Sequence, residues 1–203
     1  MTAAVPVGIS QRSLPPTEFG ERRFGLDRRW FPFLDRCGLV AVPLPNLAGV
    51  AVRTAEALGL RGLVLTGGDD LGRYGGPTPD RDEAERALLG WASAAGLPVL
   101  GVCRGAQLLL DAHGAELVAV DGHVAVRHVL SDGRPVNSYH RRAALSVPPP
   151  LRVTATCGPV VEAFEHERAA ITGVMWHPER EEPPSPEDVR LVRRLFGSTP
   201  CAR

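Results

Sequence analysis

Apolar and polar positions follow two different rhythms along the chain. In the first half, short apolar runs of strand length stand between segments with helical spacing. Val5–Ser10 reads as a strand, and Phe24–Cys37 as a helix with Leu26, Trp30, Phe33 and Leu34 on one face and Gly38 as its stop. Leu39–Leu44 predicts the next strand and Val50–Leu58 the next helix; Gly62–Thr66 predicts a third strand, closed by Gly67 and Gly68. Pro79–Ala95 is the most explicit helix. It has proline near its start, acids in its first turn, and Ala84, Leu88, Trp91 and Ala95 on one side; Gly96, Leu97 and Pro98 end it. Val99–Val102 is apolar throughout, as a strand covered on both faces requires, and the helix Gly105–His113 follows at once. Such alternation implies βαβ units, right-handed crossovers and a parallel sheet.

From Glu116 to Met175 the rhythm changes to short β-type runs, with turns at Asp121-Gly122, Ser131–Gly133 and Pro148–Pro150. Antiparallel strands on one edge of the sheet account for this stretch. Pro186–Phe196 predicts a last helix with Val189, Val192 and Phe196 on one side. No internal repeat and no long linker interrupts the 203 residues. The expectation is therefore one domain over residues 1–203, of class α/β: a three-layer sandwich with a mostly parallel central sheet and antiparallel edge strands.

Composition narrows the chemistry. The 23 basic and 23 acidic residues cancel, which argues against non-specific nucleic-acid binding. Every basic residue is arginine. Without lysine there is no Schiff base, no Ser-Lys dyad and no phosphate-gripping P-loop lysine. The apolar runs are short and interrupted by charge, so neither a membrane span nor a signal peptide is expected. Cys37, Cys103, Cys157 and Cys201 show no Cys-x-x-Cys spacing and read as reduced thiols of a cytoplasmic protein.

The chemistry concentrates at Gly101-Val102-Cys103-Arg104-Gly105, where a buried strand runs directly into a helix. This is the strand–nucleophile–helix elbow of Gly-x-Ser-x-Gly enzymes with sulfur in place of the hydroxyl, and glycine two residues to either side relieves crowding in the turn. A helix N-terminus also favours negative charge on the sulfur. His177, in Met175-Trp176-His177-Pro178-Glu179, stands at a strand end; extended backbone puts His177 and Glu179 on one side, though a surface His followed by an acidic loop fits the spacing equally well. The other histidines carry less. His123, His128 and His140 match no standard zinc spacing, and His113 closes a helix, where a cation is favourable.

Three separated motifs, Cys103-Arg104-Gly105-x-Gln107, Val136-Asn137-Ser138-Tyr139-His140 and Trp176-His177-Pro178-Glu179, occur in the order found in class I glutamine amidotransferase-like hydrolases. More narrowly the chain resembles peptidase family C26, the γ-glutamyl-γ-aminobutyrate hydrolase type. Its N-terminal segment, Gly8–Arg12 with Arg23, Leu26, Asp27, Arg29 and Trp30, is closer to the γ-glutamyl-CDP-amidate hydrolase subgroup. The resemblance implies Cys103 as nucleophile, His177 as base and Glu179 as the acid that orients it. It implies an oxyanion hole from the amides of Gly68, in Leu65–Asp70, and Arg104. It places Gln107, Asn137, Ser138, Tyr139 and His140 against the γ-glutamyl moiety. Arg141-Arg142 departs from the Gly-Gln often found after the histidine. A diphosphate-bearing leaving group would suit Arg12, Arg22 and Arg23, whose alternative is a solvated, salt-bridged face beside Glu18 and Glu21.

The activity implied is hydrolysis of a γ-glutamyl amide through a glutamyl thioester, with neither metal nor organic cofactor required. The alternative is a glutaminase subunit that delivers ammonia to a synthetase. The substrate expected is a small molecule; a homodimer and a synthetase partner both stay open.

Overall fold

A computed structural model of the chain describes residues 4–197. Cys201 lies outside the described residues. The first half runs β1 (Val5–Ile9), β2 (Arg12–Ser13), β3 (Phe24–Gly25), α1 (Trp30–Arg36), β4 (Leu39–Pro43), α2 (Ala48–Ala57), β5 (Leu63–Leu65), α3 (Pro79–Ala94), β6 (Val99–Val102) and α4 (Arg104–Ala112). The second half adds β7 (Val118–Ala119), β8 (Val124–Val129), β9 (Pro135–Tyr139), β10 (Arg142–Ala143), β11 (Leu151–Cys157), β12 (Val160–His166), β13 (Ile171–Val174) and α5 (Pro186–Gly197).

Seven strands form the central sheet in the order β11-β12-β13-β6-β5-β1-β4. From β4 to β13 the pairing is parallel, and β12 and β11 continue it antiparallel at one edge. The inner strands β5, β6 and β13 are buried at every position, which explains their unbroken apolar character. Helices cover both faces. Leu88, Leu89 and Ala92 of α3 and Leu108–Leu110 of α4 pack into one core with Ala51 and Ala55 of α2. On the opposite face Trp30, Phe33 and Leu34 of α1 meet Val189, Val192, Leu195 and Phe196 of α5. This is the expected three-layer sandwich. Among the described residues no helix is long and apolar enough to cross a membrane.

Two expectations shift. The helix read over Phe24–Cys37 begins only at Trp30, because Phe24–Gly25 pairs with Arg12–Ser13 and Asp27 Oδ1 accepts the Arg29 amide in a turn. The stretch from Glu116 to Met175 does not all join the sheet edge. β8 and β9 form a separate hairpin and β7 pairs with β10, while β13 runs parallel to β6. β8 has no buried position, so it has no face to add to the core.

The registers decide where chemistry can occur. Leu65 and Gly173 both pair with Gly101, so β5, β6 and β13 reach the same edge of the sheet together. The segments that follow them, Thr66–Gly68, Cys103 and Met175–Glu179, therefore meet at the carboxyl ends of three adjacent parallel strands, where open α/β sheets bind ligands.

A Cβ at Gly105 would run into the Leu65 carbonyl, a backbone group with no room to yield, whereas Gly90 on the outer face of α3 has open space around it. Gly105→Ala is expected to destabilise by at least the roughly 1–3 kcal/mol of overpacking. Gly90→Ala should gain about 0.5–1 kcal/mol from helix propensity. Thermal unfolding of the two variants checks the contrast.

Candidate active site

Cys103 separates β6 from α4 with φ 52° and ψ −105°, a left-handed backbone that a non-glycine residue adopts only under constraint. The constraint is visible on both sides. Its amide donates to Val174 O at 2.8 Å, and its carbonyl accepts from the Gln107 amide at 2.9 Å, the first intrahelical bond of α4. A Cβ at Gly101 would lie 2.7 Å from Gly105 O and 2.8 Å from Ala106 N. The glycines relieve different contacts: Gly101 accommodates α4, and Gly105 accommodates the neighbouring strand β5. Cys103 is thereby held at the positive end of the α4 dipole.

His177 and Glu179 are both buried, and His177 Nδ1 lies 2.7 Å from Glu179 Oε1. That pairing leaves Nε2 on the side of Cys103: a Cβ on Gly67 would lie 3.2 Å from His177 Nε2 and 3.4 Å from Cys103 Cβ, so the two side chains are neighbours. Burial disfavours the imidazolium, but Cys103 and Glu179 outweigh it and raise the His177 pKa to about 9. A second element fixes the backbone. Asn137 Nδ2 donates to His177 O at 2.9 Å, and the His177 amide donates to Asn137 Oδ1 at 3.0 Å. Tyr139 presents its ring edge-on to the imidazole, with centroids 5.7 Å apart. By contrast, burial pushes the Cys37 thiol up to about 12 and raises that of Cys157.

The glycine loop lies against this pair. A Cβ on Gly67 would collide with the His177 ring, and Gly68 has φ 137°. Buried Arg81 supports the loop, donating through Nη2 to Thr66 O at 2.8 Å, Thr66 Oγ1 at 3.0 Å and Gly67 O at 3.0 Å. Arg81 Nε also pairs with Glu85 at 2.9 Å; Glu85 in turn pairs with Arg104, whose other partner is Asp82. Burial opposes ionisation of Glu85, but Arg81 and Arg104 together keep its carboxyl below the usual range. One charge network thus couples the loop after β5 to the helix that follows Cys103.

One cleft gathers Arg12, Gly68, Cys103, Gln107, Tyr139, His140 and His177 of the predicted residues. Arg104 contributes from the start of α4, with its side chain turned into the Glu85–Asp82 network rather than into the cleft. The side chains of Asn137 and Ser138 are used elsewhere: Asn137 clamps His177 and also donates to Glu181, and Ser138 Oγ donates to His123 O. Of the phosphate candidates, Arg12 pairs with Asp69 beside the cleft at 2.7 Å, Arg23 pairs with Glu21, and Arg22 is exposed. Arg141 and Arg180 line the cleft although the motifs did not single them out; the Arg180 guanidinium lies 4.5 Å from the Tyr139 ring centroid. His123, His128 and His140, unremarkable in spacing, converge on Glu162.

Two measurements follow from this geometry. Brief alkylation at pH 7 should modify Cys103 first and leave Cys37 intact, as read by peptide mapping. For His177, a folded-state pKa near 9 against about 6.5 unfolded means that its stabilisation is complete below pH 6.5 and lost as pH rises through 9. Glu179→Gln removes one of the groups that raise this pKa. The alkaline fall in stability should therefore move to lower pH, as denaturation midpoints across pH 6–10 would record.

The glutamine amidotransferase class-I family matches residues 62–196 of the chain. The γ-glutamyl-CDP-amidate hydrolase of Campylobacter jejuni is 26% identical over 197 residues, covering 94% of this chain and 97% of its own length. The carbamoyl phosphate synthase small chain of Symbiobacterium thermophilum is 33% identical over 172 residues; the alignment spans 79% of this chain but 44% of that protein. In three dimensions the chain is similar to a GMP synthase subunit from Thermoplasma acidophilum, with TM-score 0.69 and 19% identity over 96% of this chain and 93% of the other. With a strained cysteine elbow, a His–Glu pair and a family match over more than half its length, the chain belongs to the class-I glutamine amidotransferase family.

Proposed function

We propose that the protein hydrolyses a γ-glutamyl amide, with Cys103, His177 and Glu179 as its catalytic triad. The observation that carries this reading is the buried His177–Glu179 pair beside Cys103, which sits at a strained elbow next to a glycine loop. His177 takes the Cys103 thiol proton, the sulfur attacks the γ-carbonyl carbon, and the carbonyl oxygen takes the negative charge. Gly68 and Arg104 N–H groups supply the oxyanion hole, the arrangement in which preorganised donors act most strongly. His177 transfers its proton to the departing nitrogen, the C–N bond breaks, and a glutamyl thioester remains. His177 then takes a proton from water, whose hydroxide attacks the thioester. Glutamate leaves and the proton returns to sulfur. Glu179 keeps the imidazole oriented, with Nδ1 toward its carboxylate and Nε2 toward the sulfur.

Gln107 and Tyr139, both lining the cleft, are suited to hold the glutamyl part. Gln107 Nε2 donates to Arg142 O at 2.8 Å, which presents its amide oxygen as an acceptor for an α-ammonium group. Arg12, Arg141 and Arg180 on the same cleft favour an anionic leaving group. The near end-to-end similarity to an amidate hydrolase supports release of an amidate in free solution. The similarity to a synthase small chain favours a second reading, in which the same thioester chemistry releases ammonia from glutamine for a synthetase.

A panel of γ-glutamyl amides, including glutamine and a γ-glutamyl nucleotide amidate, separates these readings when released glutamate is measured by mass spectrometry. The isolated protein is expected to turn over an anionic amidate faster than glutamine. Cys103→Ala should lose at least about a thousandfold in kcat, as removal of a covalent nucleophile does. Activity of Cys103→Ala within a few-fold of the parent would overturn the mechanism, and rapid glutamine hydrolysis only beside a synthetase would favour the second reading.

A further inference from the structure

Glu162 stands in the middle of β12 with its side chain fully buried. Its Oε1 is 3.1 Å from His123 Nδ1 and 3.2 Å from His140 Nε2, and its Oε2 is 3.5 Å from His128 Nε2. The His123 ring centroid is 4.8 Å from those of both His128 and His140. The three histidines come from the beginning, middle and end of the β8–β9 segment, while the carboxylate belongs to the central sheet.

Two arrangements of protons or ions fit such a cluster. In a hydrogen-bond network each imidazole would aim an N–H at an oxygen. Only His140 Nε2 does so here. His123 Nδ1, both ring nitrogens of His128, His140 Nδ1 and Glu162 Oε2 are buried without a hydrogen bond. Each such orphan is unfavourable, because a buried polar atom has lost its water without gaining a partner. Two of those nitrogens nevertheless approach the carboxylate to 3.1 and 3.5 Å, close but wrongly directed for donation. Around a tetrahedral zinc ion, bonds of about 2.0–2.2 Å set neighbouring donors roughly 3.3–3.5 Å apart, with lone pairs rather than protons pointing inward. The separations of Glu162 Oε1 from His123 Nδ1 and His140 Nε2, 3.1 and 3.2 Å, fall close to those edges. Donor atoms of His123, His140 and Glu162 all lie within 4.8 Å of one another. Cys157 forms a similar set with His123 and His128, but His128 also reaches Glu162, so it shares the carboxylate with the other two histidines.

We propose that His123, His140 and Glu162 form a binding site for a divalent transition-metal ion, with zinc as the best match to two imidazoles and a carboxylate that leave a fourth position open. The ion would fasten the β8–β9 hairpin to β12. β8 exposes nearly all its side chains, so it gives the hairpin little apolar anchorage. The same hairpin carries Asn137, whose side chain clamps the His177 backbone. The site's role is thus to hold a positioning element, outside the thioester chemistry itself.

The test uses the full chain bearing Cys103→Ser, so that the catalytic thiol cannot act as a ligand. Elemental analysis after incubation with zinc chloride and gel filtration should give one zinc per chain. Chelator treatment should lower the melting temperature and zinc should restore it. Cobalt(II) in its place should give the visible absorption of a tetrahedral nitrogen–oxygen site without a thiolate charge-transfer band. His123→Ala and Glu162→Gln, each in that background, should weaken zinc binding by more than about tenfold. The proposal fails if zinc is substoichiometric and leaves the melting temperature unchanged, if a strong thiolate band appears, or if His123→Ala binds zinc as the parent does. Should Glu162→Gln fail to fold, the stoichiometry and cobalt spectrum of the parent still decide.

Discussion

The closeness of α4 to the end of β5 governs the whole catalytic edge. Gly105 packs so tightly on the Leu65 carbonyl that no side chain fits, and this contact forces the chain through a left-handed turn at Cys103. A strained residue persists only where its surroundings over-determine it. Here the surroundings include a buried charge network: Arg81 holds the carbonyls of Thr66 and Gly67, and Glu85 joins Arg81 to Arg104 at the first turn of α4. Burying such charges incurs a desolvation penalty that well-packed apolar groups would avoid. What the network supplies is position. It fixes the loop amides and the helix amides relative to each other, as an oxyanion site requires before any substrate arrives.

The histidine side of the site is built on a different scale. His177 arrives on β13, next to β6, with its placement set by strand register. Its orientation depends on Glu179 two residues on, and on Asn137 from a hairpin outside the central sheet. Cys103 thus rests on the central sheet, while His177 is partly held by β9 of a hairpin whose other strand, β8, has no buried position. A restraint on that hairpin is worth more to the site than its distance from the sulfur suggests, because a small displacement of the imidazole changes its alignment with Cys103.

Local features were legible in the chain and non-local ones were not. Val99–Val102 has the same bounds in sequence and structure, and the helix read from Gly105 starts one residue earlier, because a buried strand, two glycines and an amphipathic helix all leave local signals. Leu26, Trp30, Phe33 and Leu34 have helical spacing, yet a turn at Asp27 and pairing of Phe24–Gly25 delay the helix; periodicity does not register a competing turn. Ser138 shows a limit of motif transfer. It lies within a motif of the cleft, but its hydroxyl turns inward to His123 O. The Glu162 cluster was the least visible, since its members span both sides of several turns and only the packing of a hairpin on β12 brings them together.

The division between family core and remainder bears on specificity. The family match starts at residue 62 and so includes β5, β6, α4 and β13, the elements that bring the glycine loop, Cys103 and His177 together. Residues 1–61 lie outside it, yet they place Arg12 in the cleft and hold its rim through Gln11 Nε2 to Leu44 O and Asn46 Nδ2 to Gln11 O. A core shared by enzymes that act alone and by subunits that serve a synthetase cannot itself select the leaving group. Selection has to come from what faces the far side of the scissile bond. In this chain the candidates are Arg12 from the N-terminal segment together with Arg141 and Arg180, which line the cleft beside Asp69 and Asp70, with Asp69 pairing Arg12. An ammonia-delivering subunit needs no anion-binding rim, since its leaving group is small and neutral once protonation is balanced. The arginines are therefore the part of the site whose chemistry separates a free amidate hydrolase from a glutaminase.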